Sequence, residues 1–112
     1  MVKRINSRNK GKVGELEVAK ILREKGWAAR RGQQFSGGNE SPDVVSELPY
    51  HIEVKRVEKF DLYGALEQAD RDSEGTDKES LVIHRKNGKE WVAVVRLEEF
   101  LRLVDKAILN EL

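Results

Sequence analysis

The hydrophobic positions change period several times along the chain, and each change marks an element. From about Lys10–Lys12 to Lys25 the period is helical. With residues placed at about 100° steps from Glu15, Val18, Ala19 and Leu22 fall within about 60° of it. Glu17, Lys20 and Glu24 fall on the opposite side. Gly11 sits one turn before Glu15 and leaves room on that face, and Gly26 is placed to cap the C-terminal end. Trp27 to Arg31 reads as a first strand, followed by a polar loop from Gly32 to Ser41. Within it, Gly37-Gly38 mark a hinge or a close backbone approach. Val44-Val45 start a second strand, Leu48-Pro49 mark a turn, and Tyr50 to Lys55 alternate with period two. Tyr50, Ile52 and Val54 then face one way, and His51, Glu53 and Lys55 the other. A second helix runs from about Phe60 or Asp61 to Ser73 on Leu62, Ala65, Leu66 and Ala69. Asp70 to Glu79 is an acidic loop. Ser80–Arg85 and Trp91–Arg96 are two further strands, joined through Asn87-Gly88, a strong hairpin signal. The last helix, Leu97–Leu112, carries Leu97, Leu101, Val104 and Ile108 on one stripe, with Phe100, Leu103 and Ala107 beside it. That face is wider than a small sheet needs, so part of it is expected to serve as a dimer surface.

These elements imply an α/β fold: a central mixed sheet of about five strands flanked by helices at Lys12–Lys25, Asp61–Ser73 and Leu97–Leu112. The 112 residues suit a single domain with one modest core. There is no cysteine and there are only two histidines, His51 and His84, which argues against disulfides, thiolate metal sites and a zinc centre. No apolar run approaches a membrane span and no secretory signal is visible. An intracellular, cytoplasmic protein with no membrane partner is therefore expected. The net charge of +1 conceals an asymmetry: ten Lys/Arg stand against three Asp/Glu through Gly38, and eleven against seventeen thereafter. Lys3, Arg4, Arg8, Lys10 and Lys12 form a basic N-terminal arm over about residues 1–10, suited to sequence-independent attraction of nucleic acid.

Chemistry concentrates around Ser41-Pro42-Asp43 and Glu53-Val54-Lys55. Asp43 starts one strand, and Glu53 and Lys55 share a face of the next. Neighbouring carboxylates repel unless a cation lies between them. A hard divalent ion such as Mg²⁺ suits that place, since it takes oxygen ligands and often needs only one or two carboxylates. A lysine beside it can orient a water or stabilise charge on a phosphate. Glu15, in the middle of an apolar helical stripe, is costly unless it is paired or near a metal.

Pro42-Asp43 followed by Glu53-x-Lys55 resembles the signature of the PD-(D/E)xK nuclease superfamily. Lys10-Gly11-Lys12-Val13-Gly14-Glu15, then Lys25-Gly26-Trp27 leading to Arg30-Arg31, resembles the opening of archaeal-type Holliday junction resolvases and their phage relatives. The resemblance spans roughly Lys10 to Leu103. It implies a restriction-endonuclease-like core and a Mg²⁺-dependent DNA endonuclease, with Mn²⁺ able to substitute. The implied enzyme is homodimeric, acts on branched DNA such as four-way junctions rather than on a small molecule, and is cytoplasmic whether cell- or phage-encoded. Asp43 and Glu53 would hold the metal with help from the Val54 carbonyl, and Glu15 would join directly or through water. Glu15, Asp43, Glu53 and Lys55 form the expected catalytic set. The expected DNA contacts are the basic arm, Arg30, Arg31 (the better match to the family arginine), Ser36 in the glycine-containing loop, Arg56, Lys59 and Gln68. A related nuclease acting on flaps or nicks, and a non-catalytic nucleic-acid-binding module, remain alternatives.

Overall fold

The computed structural model describes residues 7–32 and 41–111, and the side chains of residues 9–32 and 41–110. Lys3, Arg4, Ser36, Gly37, Gly38 and the side chain of Arg8 lie outside what is described. The elements run α1 (Ser7–Glu24), β1 (Ala29–Arg31), β2 (Val44–Ser46), β3 (Tyr50–Arg56), α2 (Leu62–Asp72), β4 (Glu79–Arg85), β5 (Val92–Val94) and α3 (Leu97–Glu111). The five strands form one sheet in sequence order. Among the described residues only the β3–β4 pair is parallel, and the other pairs are antiparallel. This is the mixed α/β sheet expected from the sequence. The parallel pair is made possible by α2, which carries the chain back between β3 and β4.

The alternation of β3 sorts the core into two layers. Ile52 and Val54 join Val18 and Ala19 of α1, Val44 of β2 and Leu81 of β4 on one face. On the other, Ala65 and Leu66 of α2 pack on Val82, with Phe60, Leu62 and Val94 around them. Val44, Ile52 and Val82 are fully buried, each contributing about 1.5–3 kcal/mol of apolar burial. The chain leaves α1 through Gly26, whose φ of +97° is the left-handed conformation that glycine adopts without a Cβ clash. Its N–H donates to the Arg23 carbonyl, and the Trp27 N–H donates to the Leu22 carbonyl, the paired bonds of a Schellman cap. Trp27 is thereby used in the cap, so β1 begins at Ala29 rather than at Trp27. β5 is shorter than its apolar run for a similar reason. The Arg96 carbonyl accepts from Phe100 at the start of α3, and the Arg96 guanidinium grips Asp70 at 3.0 and 2.9 Å.

Gly11 has open space around it, and a tight approach falls at Gly14, where a Cβ would lie 3.0 Å from the Arg56 Cβ and 3.3 Å from the Trp91 ring. One local expectation changes. Glu17, on the side of α1 away from the apolar stripe, is not merely solvated: the Arg85 guanidinium reaches round the helix to both its oxygens at 3.2 and 3.3 Å. α3 leaves most of its apolar side chains exposed, Leu97, Phe100, Leu101, Ile108 and Leu109 among them. It is tied to the sheet by Glu99, which accepts from the Tyr50 hydroxyl and from Arg102. Those two donors hold the Glu99 carboxyl down at about 2. The 58 Å long axis of the molecule accords with a helix of about 22 Å standing away from the sheet.

Candidate active site

The site begins with strand register. Val44 pairs with Ile52 in the antiparallel β2–β3 pair, and this brings Asp43, just before β2, close enough to Glu53 for their carboxylates to interact. The Asp43 N–H donates to the Ile52 carbonyl at 2.9 Å, and Asp43 Oδ2 accepts from the Val54 N–H at 2.8 Å. A strand residue directs its N–H and C=O to the same edge, so the Val54 carbonyl also lies on the Asp43 side. Gly32 fixes the other flank. Its N–H donates to the Asp43 carbonyl at 2.8 Å, and a Cβ there would stand 1.9 Å from the Pro42 carbonyl oxygen. Only glycine lets β1 approach this closely, which explains a glycine next to the first strand.

Glu53 is 2% exposed. Burial first, and the neighbouring Asp43 charge second to it, push its carboxyl up to about 7 against the opposing hydrogen bond from His51. α2 covers this face, so the polar side of β3 is a buried row rather than a solvated one. Lys55, two residues on, donates to Gln68 Oε1 of α2 at 3.0 Å. The backbone of Lys55 is held as well, because its carbonyl lies 2.8 Å from His84 Nδ1. A carbonyl only accepts, so that nitrogen carries the proton. Phe60 stacks on the His84 ring at 3.9 Å between centroids. A cavity of about 450 Å³ opens beside Lys55, with Lys59, Phe60, Gln68 and Arg71 in its walls.

Glu15 arrives from α1. Its Oε1 accepts from Arg31 Nε at 2.6 Å, with 13% of the glutamate side chain exposed. Burial raises its carboxyl against the Arg31 hydrogen bond, while Asp43 pushes it up and Lys55 down. It therefore stands within electrostatic reach of the Asp43–Lys55 cluster, and the cation that the buried stripe demands is Arg31. Arg31, expected on DNA, is engaged in this pair.

Glu15, Arg31, Asp43, Glu53, Lys55 and Gln68 thus meet around one end of the β2–β3 pair. The remaining expected contacts are dispersed. Lys59 borders the Lys55 cavity, and Arg30 and Lys12 are exposed. Arg56 points to the α1 face, where Arg56 and Lys10 approach Glu58 at 3.8 and 3.2 Å. Sequence reasoning gave no role to two residues that the fold adds. His51 lies 2.8 Å from Glu53, and Asp72 completes with these two a compact group of potential ligand atoms. The signals were present: His51 shares the period-two face of Glu53, and Asp72 follows Gln68 by one helical turn.

The donor set suits a divalent cation. Asp43 and Glu53 offer oxygen only, the Asp43 charge adds to the burial that raises the proton affinity of Glu53, and a third carboxylate, Glu15, stands nearby. Hard cations bind such sites.

Comparison with known proteins agrees with this chemistry. The model of the family described as "Phage putative PDDEXK endonuclease" matches residues 6–110. Among solved structures, the chain is similar to Hjc, a Holliday junction resolvase from the archaeal hyperthermophile Archaeoglobus fulgidus, with a TM-score of 0.58 and 25% identity. That match covers 77% of this chain and 72% of the archaeal one. No curated protein matches. Among the described residues, no helix is long and apolar enough to cross a membrane. With Pro42-Asp43 and Glu53-x-Lys55 brought together on β2 and β3, the chain belongs to this family of phage PDDEXK endonucleases, a group of PD-(D/E)xK nucleases related to Holliday junction resolvases.

Proposed function

We propose that the protein is a Mg²⁺-dependent, structure-selective DNA endonuclease that resolves four-way junctions as a homodimer. The observation that carries the reading is the meeting of Asp43, just before β2, with Glu53 on β3, with Lys55 on the same strand and pinned by Gln68. Likeness to an archaeal junction resolvase supports the substrate class.

Asp43 and Glu53 would hold the cation, with the Val54 carbonyl on the same edge and Glu15 nearby. An ion bound there would polarise the scissile phosphate and lower the pKa of a bound water. The chain's own residues supply the rest. Lys55 presents an ammonium to the phosphate and stabilises charge developing on its oxygens. Gln68 limits the freedom of that ammonium through its Oε1. Arg31 keeps Glu15 in place, and Glu15 adds negative charge that favours cation over proton at the site. The exposed cations Lys12, Arg30 and Lys59 attract the DNA backbone without reading sequence, joined by the basic arm, Lys10, Arg56 and Ser36 where those side chains reach it.

The dimer reading rests on α3. Its exposed Phe100, Leu101 and Ile108 make an apolar face of the kind that soluble monomers seldom leave open. A second copy is the self-complementary occupant, and its two-fold symmetry matches the two related scissile phosphates of a junction.

The test is incubation with four-way junction, flap, nicked and linear duplex DNA, in Mg²⁺ and in EDTA. Paired, symmetric cuts in the junction alone, lost in EDTA, are expected. Preferential single cuts in a flap or nick would replace the junction reading with that of a flap or nick nuclease. Binding without any cleavage would make the chain a binding module.

A further inference from the structure

Behind the catalytic carboxylates the polar face of β3 has a second layer. His51 is 3% exposed, as buried as Glu53 itself. Its Nε2 lies 2.8 Å from Glu53 Oε1. Asp72, in the last turn of α2, brings a carboxylate oxygen within 4.8 Å of a ligand atom of each. Gln68 and Asp72 are four residues apart on α2 and so stand one above the other. One grips Lys55, and the other stands beside the His51–Glu53 pair. α2 thereby supplies a polar ladder against the polar row of the strand.

We propose that His51, backed by Asp72, is a positioning residue for Glu53: its ring N–H fixes one carboxylate oxygen and leaves the other directed to Asp43 and the cation. This rests on the reading of Asp43 and Glu53 as the metal ligands. A carboxylate has two equivalent oxygens and a glutamate has three side-chain torsions, so an unsupported Glu53 would sample geometries that do not meet Asp43. With the cation bound Glu53 is ionised, and an ionised carboxylate only accepts hydrogen bonds, so in that state the nitrogen facing it carries the proton. The Asp72 carboxylate stands within 4.8 Å of both partners and adds negative charge beside the pair. The competing arrangement, an ion held among His51, Glu53 and Asp72, fits less well. A separation of 2.8 Å between Nε2 and Oε1 is that of a hydrogen bond. Mg²⁺ also prefers oxygen to imidazole nitrogen. Hydrogen-bonded supports of this kind hold metal-bound carboxylates in register, and their loss typically costs about 10–100-fold in metal affinity or activity.

The experiment is a Mn²⁺ titration of the metal-free full chain followed by electron paramagnetic resonance, on the wild type, Asp43→Asn, His51→Phe and His51→Gln. Asp43→Asn should lose most of the binding. His51→Phe should weaken it about 10–100-fold. His51→Gln, whose amide N–H reaches the position of Nε2, should recover most of that loss. A His51→Phe affinity equal to wild type, with Asp43→Asn still defective, would overturn the inference and leave the metal assignment standing. Wild type and Asp43→Asn binding alike would remove the metal assignment and the inference with it. Two measurements on the unmodified protein guard against a variant that fails to fold. Ring ¹⁵N spectra in Mg²⁺ should show the His51 proton on Nε2, and a bare Nε2 would contradict the proposal. Electron spin-echo modulation of bound Mn²⁺ should show no directly coordinated ¹⁴N, whereas strong coupling would make His51 a ligand.

Discussion

At the scale of the residue, the site is a problem in proton and cation competition. Glu53 is buried against Asp43, and its carboxyl is pushed up to about 7 from an ordinary 4.5. The folded chain therefore holds this proton more tightly than the unfolded one. Its contribution to the stability of the metal-free protein is fully present below 4.5 and falls as pH rises from 4.5 to about 7. Glu53→Gln, which cannot ionise, should flatten that fall and raise Tm at pH 8 in EDTA; a lower Tm there would mean that the charge is accommodated without a cation. The same proton competes with the metal, so Mn²⁺ affinity should rise from pH 6 to 8, and a flat profile would count against Glu53 as ligand. Glu15 is the other sensitive residue. Glu15→Gln should slow cleavage by at least ~100-fold if the group acts in metal or general-base chemistry. Glu24, an exposed partner of Lys20 at 3.9 Å, should tolerate the same change. Equal and mild losses in Glu15→Gln and Arg31→Gln would reduce Glu15 to a structural ion-pair partner. That Asp43, Glu53 and Glu15 would lie near one another was legible in the sequence, from strand alternation and the helical stripe. Their partners were not. Nothing in the spacing of Arg31 says whether its guanidinium meets a phosphate or Glu15, and long side chains such as Arg85 reach around a helix flank that the periodicity labels solvated.

At the scale of the element, α2 matters most, and its role was the least legible in the sequence. Its apolar positions Ala65, Leu66 and Ala69 announce a packed helix, but the period of β3 does not say which face that helix covers. A helix returning between parallel strands must cover a face of the sheet, and here it covers the polar one. Gln68→Ala should therefore free Lys55 and lower cleavage turnover more than DNA affinity; unaltered turnover would make the 3.0 Å hydrogen bond incidental. α3 shows the opposite discrepancy. Its width on the helical wheel signalled more apolar surface than the sheet could cover, and the structure leaves that surface almost wholly exposed, with Phe100 at 52%. Leu101→Glu is the corresponding test. On a free surface such a change stays within about 0.5 kcal/mol. At a dimer seam it should convert a sedimenting dimer to a monomer, and a wild-type protein that is already monomeric on junction DNA would remove the seam.

At the scale of the whole molecule, the sheet sets Gly32, just after β1, and Asp43, just before β2, beside Glu53 on β3, and α1 and α2 bring Glu15 and Gln68 from opposite faces. That architecture was readable because each strand and helix carries its own period and its own punctuation at Gly26, Pro49 and Gly88. The charge asymmetry belongs to this scale too. If the basic N-terminal part guides DNA, binding should weaken steeply with salt. Replacing Lys3, Arg4, Arg8 and Lys12 by Gln should then reduce the log–log slope by about 0.9 for each phosphate that is no longer neutralised, and an unchanged slope would make that part a bystander. The most direct measurement of the central claim is Mg²⁺-dependent cleavage of a four-way junction by the wild type and Asp43→Asn, with binding followed in the same samples. The wild type should cut, and Asp43→Asn should bind the junction at least as well without cutting it, because removing a carboxylate lessens repulsion of phosphate while destroying the cation site. Equal cleavage by the two proteins would contradict the account.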